Sequence, residues 1–422
     1  MNITLTNPVF SNTVATPSSK SAAHRALIAA AFCGAPTTIF VADVGADIQA
    51  TVRCLRAIGV GIEELENGTA LRVTPTREFI DNAVADCGES GSTLRFLIPV
   101  AAALGLTVRF LRRGRLPERP LEPLATELAA HGITLREEAD GILCVSGQLT
   151  PGKYSIAANV SSQFVTGLLF GLSLLRYPST LLLTGEVESA PYINMTLSTL
   201  ATFKAAPICV ANGKLFGVPG YLAQPLRSPG TLSPDGDFSA AAFPLCAGAI
   251  GKNPVTVCGI HPASAQGDVA ILQLLDSFGA KIDVDLEKCT VTVFPSTLHG
   301  IQIDAAQIPD LVPVLAVVAA AAQGETVITG AARLRLKESD RLATTAAMLR
   351  ALGADIAELP DGLSIRGGKP LHGATVDGAN DHRIVMSAAV ASLLCDSPVT
   401  VTDAEAVKKS FPSFFETALA QY

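Results

Sequence analysis

The chain contains no tryptophan and only five tyrosines among 422 residues, so it offers few aromatic platforms on which bases or sugars could stack. Charge is sparse, at 16% of residues, and the net value is −7. A nucleic-acid partner therefore has no global electrostatic support. The nine cysteines, at positions 33, 54, 87, 144, 209, 246, 258, 289 and 395, form no C-x-x-C. An odd, scattered set reads as free thiols in a reducing cytoplasm, not as a disulfide frame or a zinc site. With no G-x-x-x-x-G-K-[ST] present either, neither a metal nor an organic cofactor is expected. An uncharged apolar run such as Phe96–Val108, 13 residues, falls short of the ~20 that cross a membrane. The opening MNITLTNPVF has no basic n-region and no apolar h-region, so a secretory signal is not expected. What is abundant is apolar side chain, 49%, which excludes disorder. At roughly 150 residues per domain the length suggests two or three domains.

One short pattern recurs six times: small polar residues followed by an Ala/Leu-rich run. It reads SSKSAAHRALIAAAF, ESGSTLRFLIPVAAAL, SSQFVTGLLFGLSLL, GDFSAAAFPLCAGAI, PDLVPVLAVVAAAA and NDHRIVMSAAVASLL, anchored at Ser19, Ser90, Ser161, Asp237, Asp310 and Asp381. The spacings, 71, 71, 76, 73 and 71, keep step as unrelated apolar runs would not. A second pattern, an amphipathic stretch ending in Gly before an alternating strand, places Gly59, Gly132, Gly279 and Gly353 at a similar period. Glycine there suits the position just past a helix, where φ turns positive. The third repeat breaks this pattern with TFKAAPICV. Six similar units of about 71 residues, each with two helices and short strands, define an α/β fold. The first helix of each unit is apolar nearly all round and should be buried; the second should be more exposed. The one long spacing holds QPLRSPGTLSPDG, dense in Pro, Gly and Ser, which reads as a linker. Three units then lie on each side. The expected lobes are residues 18–229, and residues 1–17 with 230–422, the first strand pairing across.

Each buried helix starts on a polar residue. Capping alone explains any one of them, at about 1 kcal/mol, and Asp310 is expected to cap the fifth. Helix N-termini also attract anions. Basic residues gather at the same places: Lys20, Arg25, Arg95, Arg119, Lys337, Arg341, Arg383 and Lys409. Cations at helix starts oppose the helix dipole, so their recurrence calls for another reason. Anion focusing in a cleft supplies it. Asp310 and Glu338 among these cations could serve as general acid and base.

In order, SKSAAHR (19–25), GESGSTLR (88–95), ERPLEPL (118–124), SSQF (161–164), SAPY (189–192), GD (236–237), PD (309–310), LKESDR (336–341), NDHR (380–383) and KSFP (409–412) closely resemble the motifs of the 5-enolpyruvylshikimate-3-phosphate (EPSP) synthase family. The resemblance runs along essentially the whole chain. It implies a two-lobed inside-out α/β barrel of six βαβαββ units, with the active site in the cleft between the lobes. It also implies the family's reaction, transfer of the enolpyruvyl group of phosphoenolpyruvate to the 5-hydroxyl of shikimate 3-phosphate with release of phosphate, on the route to chorismate and the aromatic amino acids. No cofactor is implied, and the protein is expected to be a cytoplasmic monomer, with no nucleic-acid or membrane partner, and a target of the family's inhibitor glyphosate.

Residue by residue, the resemblance puts Lys20 on phosphoenolpyruvate with a share in proton transfer, and Ser21 and Arg25 on the shikimate carboxylate. Gly91 leaves room beside the phosphoenolpyruvate phosphate, with Arg119 and Gln163 completing that site. Ser161, Ser162 and Ser189 take the 3-phosphate and Tyr192 lines the shikimate pocket. Asp310 is the candidate base, Glu338 the candidate proton donor, and Lys337 contacts the shikimate phosphate-ring region. Arg341 and Arg383 clamp the phosphoenolpyruvate carboxylate, while His382 and Lys409 close the pocket; Arg suits such a clamp because its planar fork matches a carboxylate. The chain departs from the common pattern at Ser18, Glu89, Phe96 and Arg333, and Glu89 beside an anion site should weaken anion binding unless it turns away or pairs with a cation. The related UDP-N-acetylglucosamine enolpyruvyl transferases usually carry a reactive Cys where Leu104–Leu128 has none. A metabolite-binding relative without chemistry would not need Lys20, Asp310, Glu338 and Lys409 together.

Overall fold

The computed structural model describes residues 1–65 and 68–421. The chain forms two compact units, Met1–Ser19 with Asp235–Tyr422, and Lys20–Pro234. The crossings thus fall two and five residues later than the sequence places them. The reason is local pairing. Thr231 and Leu232 run parallel to Thr38 and Ile39, which keeps the linker in the second unit. Ser18 bridges Gly236, and the Ser19 amide donates to the Asp235 carbonyl, which keeps the N-terminal arm in the first.

Among the described residues five four-stranded sheets repeat one design: a parallel pair, then two antiparallel strands. In one, Ala83–Gly88 pairs parallel with Val108–Arg112, followed by Ile142–Ser146 and Thr134–Glu137. Two sheets borrow their first strand from a distant part of the chain, Thr231–Leu232 in one and Thr13–Ala15 in the other. The sheet of the sixth repeat has three strands among the described residues, including Ile3–Leu5.

The helices that follow the polar anchors lie at the core of each unit. Phe238–Ile250, Val312–Ala321 and His382–Ala391 are buried almost along their whole length in one. Lys20–Ala31, Gly91–Leu104 and Ser162–Ser173 fill the other. Two of these touch backbone to backbone: a Cβ on Gly167 would lie 2.3 Å from the Arg95 carbonyl oxygen, and one on Gly171 2.7 Å from that of Pro99. This close approach fixes where the Arg95 end of its helix sits. At the ends of the second helices, Gly59, Gly132, Gly279 and Gly353 have φ of +100, +83, +96 and +91°. In the third repeat Lys204 takes that left-handed position, with φ +65°. All nine cysteines are free thiols. Among the described residues no helix is long and apolar enough to cross a membrane.

Candidate active site

Two polar clusters gather the residues singled out by the sequence, one in each unit. In Lys20–Pro234 the cluster is built from the starts of three core helices. Lys20 opens the first of them, and its Nζ donates to Asp47 Oδ2 at 2.9 Å. Below it, His24 Nδ1 lies 2.7 Å from Thr51 Oγ1, Thr51 Oγ1 lies 2.7 Å from Thr93 Oγ1, and Thr93 donates to Ser90 Oγ at 2.8 Å. This buried chain ties the Lys20 helix to the Ser90–Gly91 helix start. Burial lowers the His24 imidazole to about 3; Asp47 opposes the shift and Lys20 and Arg25 add to it. His24 is therefore neutral and works as a strut.

Gly91 is the first residue of its helix, capped by Ser90. It faces two guanidinium groups: a Cβ there would fall 2.7 Å from Arg119 Nη1 and 2.9 Å from Arg95 Nη1. Arg95 donates to Gln163 Oε1 at 2.8 Å and to the Pro120 carbonyl at 3.0 Å, and Gln163 donates to Ser92 Oγ at 2.9 Å. Arg95 had no role of its own in the sequence motifs. Here it positions Gln163 and the loop that carries Arg119. Ser161 caps the next helix by accepting from the Gln163 amide, and Ser162 is buried beside it. Ser189 is buried in a left-handed conformation before Ala190–Thr202, the helix that holds Tyr192. The Glu89 carboxyl carbon lies 2.7 Å from where a Gly114 Cβ would be. Gly114 therefore makes room for Glu89.

Arg25 is placed differently from a surface clamp. It is 2% exposed and donates to Thr196 Oγ1, Thr166 Oγ1 and the carbonyls of Ser21 and Tyr192. Four of its five N–H groups are committed to protein. Its guanidinium also stacks over Phe96 at 5.1 Å, and burial pulls it down to about 10. Arg25 organises the Ser21 and Tyr192 backbones, and these bonds use all but one of its N–H groups.

In the other unit Arg341 is the centre. Its side chain is 2% exposed and meets three carboxylates: Asp310 Oδ1, Glu338 Oε2 and Asp381 Oδ2, each at 2.8 Å, with Asp381 Oδ1 at 3.1 Å. Lys337 Nζ lies 3.5 Å from Asp310 Oδ1 and Arg383 Nη2 3.7 Å from Asp310 Oδ2. Asp310 does not cap the fifth core helix. It sits in the one-turn helix Pro309–Leu311 ahead of it, and its carboxylate turns to these cations. Burial works to raise the Asp310 carboxyl, but Lys337, Arg383 and Arg341 together hold it well below the ordinary carboxylate range. Asp381 does two jobs, capping its helix through the Arg383 amide and pairing with Arg341. Only the cap was legible from its position. Arg383 donates to the Ser239 carbonyl at 2.8 Å. His382 is 1% exposed, and Lys409 Nζ donates to the Asn380 carbonyl. Arg333 donates to the Ala306 carbonyl at 2.7 Å. No group of three or more His, Cys, Asp or Glu suited to a metal occurs among the described residues.

The comparisons with known proteins agree with one another. The family described as EPSP synthase (3-phosphoshikimate 1-carboxyvinyltransferase) matches residues 6–418. A 3-phosphoshikimate 1-carboxyvinyltransferase of Clostridium novyi is 40% identical over 409 residues, covering 95% of this chain and 92% of its own. One from Halobacterium salinarum is 40% identical over 409 residues, covering 95% and 94%. Among solved structures, an EPSP synthase from Acinetobacter baumannii superposes with a TM-score of 0.80 at 25% identity, covering 99% of this chain and 97% of its own. The enolpyruvyl transferase NikO from Streptomyces tendae has the same fold, with a TM-score of 0.80 at 20% identity and coverage of 98% and 96%. The two-lobed inside-out α/β class that the resemblance implies is the class of these structures.

Proposed function

The chain belongs to the EPSP synthase family, and from that premise we propose how its residues transfer the enolpyruvyl group of phosphoenolpyruvate to the 5-hydroxyl of shikimate 3-phosphate. The observation that carries the proposal is the pair Asp310 and Glu338 on one buried guanidinium, Arg341, with Lys337 and Arg383 alongside. The reaction needs a base for the hydroxyl and an acid for the methylene carbon, both within a cation-rich pocket. Asp310, held ionised by its neighbours, is the base. Glu338 donates the proton to carbon. The hydroxyl oxygen bonds to the central carbon of phosphoenolpyruvate as the methylene becomes methyl, giving a tetrahedral ketal phosphate. A methyl proton then returns to Glu338 as the C–O bond to phosphate breaks, the departing phosphate takes the proton held by Asp310, and the enol ether forms.

Arg383 clamps the phosphoenolpyruvate carboxylate together with the remaining Nη1–H of Arg341, whose other donors hold the three carboxylates. Lys20, Gly91, Arg119, Gln163, His382 and Lys409 complete that substrate's site. Ser161, Ser162, Gln163 and Ser189 take the 3-phosphate, Lys20 and Lys337 add charge to it, and Ser21, Arg25 and Tyr192 set the shikimate ring. Cytoplasmic placement as a monomer completes the proposal, and the nine free thiols suit a reducing compartment.

The test is phosphate release by purified protein. Release with both substrates, and none with either alone, is the expected result. Turnover of phosphoenolpyruvate with UDP-N-acetylglucosamine in place of shikimate 3-phosphate would overturn the choice of acceptor.

A further inference from the structure

Asp268 stands next to this machinery without belonging to any motif. It lies in the one-turn helix Gly267–Val269 and is 2% exposed. Its Oδ2 accepts from Ser239 Oγ. Its Oδ1 is buried with no hydrogen-bond partner, and no Lys, Arg or His among the described residues pairs with it within 4 Å. Ser239 is the link onward, because its carbonyl accepts from Arg383 Nη1. Arg383 in turn has a buried Nε with no hydrogen-bond partner among the described residues. A buried carboxylate and a buried guanidinium, each incompletely bonded, are therefore joined through one serine. A carboxylate so placed is unfavourable when charged unless a cation compensates it.

We infer that Asp268 sets the affinity of Arg383 for an anionic ligand, its carboxyl taking up a proton as an anion binds there. This rests on the proposed clamp role of Arg383. The groups that act on Asp268 are Asp310 from Pro309–Leu311, Arg383 from His382–Ala391, and Ser239 and Asp237 from the start of Phe238–Ile250. Burial and the charges of Asp310 and Asp237 push its carboxyl up to about 7, against Ser239 and Arg383. Near neutral pH the group is thus divided between its two forms. An arriving carboxylate adds negative charge beside Arg383 and favours the protonated form; conversely, ionised Asp268 opposes the arriving anion. By linkage, binding takes up a proton, and affinity falls as pH rises through 7.

Asp268→Asn imitates the protonated acid: it is neutral, has the same shape and still accepts from Ser239. In wild type the KM for phosphoenolpyruvate should rise between pH 6 and 8.5. In the variant the rise should be smaller, leaving its KM at pH 8.5 about tenfold below that of wild type, the effect of one pKa unit of coupling. Taking the ratio of the two proteins removes the ligand's own ionisation. A structural role alone predicts the opposite, a weakened variant. Equal KM values at pH 8.5, or a higher one in Asp268→Asn, would overturn the inference. If that variant does not fold, Ser239→Ala serves: loss of the hydroxyl donor moves the KM rise to higher pH, and an unmoved profile counts against the idea. If wild type does not turn over the two substrates, the functional proposal fails separately. Carbon-13 spectra of labelled aspartate then decide: a carboxyl signal titrating near pH 7 and absent in Asp268→Asn supports the inference, and titration of that signal below pH 5 refutes it.

Discussion

Gly91 and Arg119 are so close that a single methyl on the glycine would stand 2.7 Å from the guanidinium nitrogen Nη1, inside contact distance. The same methyl would crowd Arg95 at 2.9 Å. Both guanidinium groups are largely buried, so the displaced side chain has little open space to enter. Gly91→Ala should therefore raise the KM for phosphoenolpyruvate by about tenfold, the scale of one disturbed charged hydrogen bond. The KM for shikimate 3-phosphate should change much less. Glyphosate, if it occupies the phosphoenolpyruvate site as the family pattern implies, should lose more affinity than the substrate. Unchanged constants for both ligands would mean that Gly91 does not face that site.

The carboxylates on Arg341 give a second expectation. Asp310→Asn and Glu338→Gln preserve shape and remove charge. Each should keep shikimate 3-phosphate binding within about tenfold while turnover falls by ~10²–10⁴, the usual worth of a positioned acid or base. Calorimetry beside rapid-quench turnover separates the two quantities. Loss of binding and rate in equal proportion would make that residue a binding contact. Normal turnover by Glu338→Gln would shift the donor role to Lys20, whose Nζ is held by Asp47.

The repeat arithmetic made the architecture readable, because each repeat buries one apolar helix and the first five close another with a residue at positive φ. Where that residue is Lys204 the pattern failed in sequence but held in backbone. The polar anchors were readable as caps, and Ser90, Ser161, Asp237 and Asp381 do cap. Asp310 does not, since a one-turn helix interposes and frees its carboxylate for Arg341. Asp47, Ser239 and Asp268 carry no sequence signal. Their importance arises from tertiary contacts between segments 27 to 144 residues apart, which no local spacing encodes.

Arg25 separates organisation from contact. Three of its four hydrogen bonds join the Lys20–Ala31 helix to Thr166, Tyr192 and Thr196, and the fourth returns to the Ser21 carbonyl of the same helix. Lysine cannot reproduce that fork. Arg25→Lys should lower stability by at least ~2 kcal/mol, since several buried acceptors lose their donor. For a unit of about 200 residues that is a melting shift of roughly 4–8 °C. A variant that melts with wild type yet binds shikimate 3-phosphate poorly would reverse the assignment, making Arg25 chiefly a ligand contact.

His24 and Asp268 make opposite contributions to the pH dependence of stability. His24 titrates at about 3 when folded, against an ordinary 6.5. At pH 5 the unfolded chain holds its proton and the folded one does not, so stability rises with pH through this group. That contribution is present above 6.5 and is lost as pH falls toward 3. Asp268 titrates at about 7 when folded, against 3.8. At pH 5 the folded chain holds its proton and the unfolded one does not, so stability falls with pH. That contribution is present below 3.8 and is lost as pH rises through 7. Each is worth about 1.4 kcal/mol per pH unit where it acts fully, and between pH 4.5 and 6 the two nearly cancel. Asp310, whose carboxyl is held low, adds its loss only below the ordinary carboxylate value. Denaturant unfolding across pH 4.5–6 should therefore give wild type a shallow profile. His24→Asn should gain stability relative to wild type as pH falls, after a fixed cost for the smaller side chain. Asp268→Asn should lose it. Parallel profiles for all three proteins would mean that neither group has the buried ionisation described here.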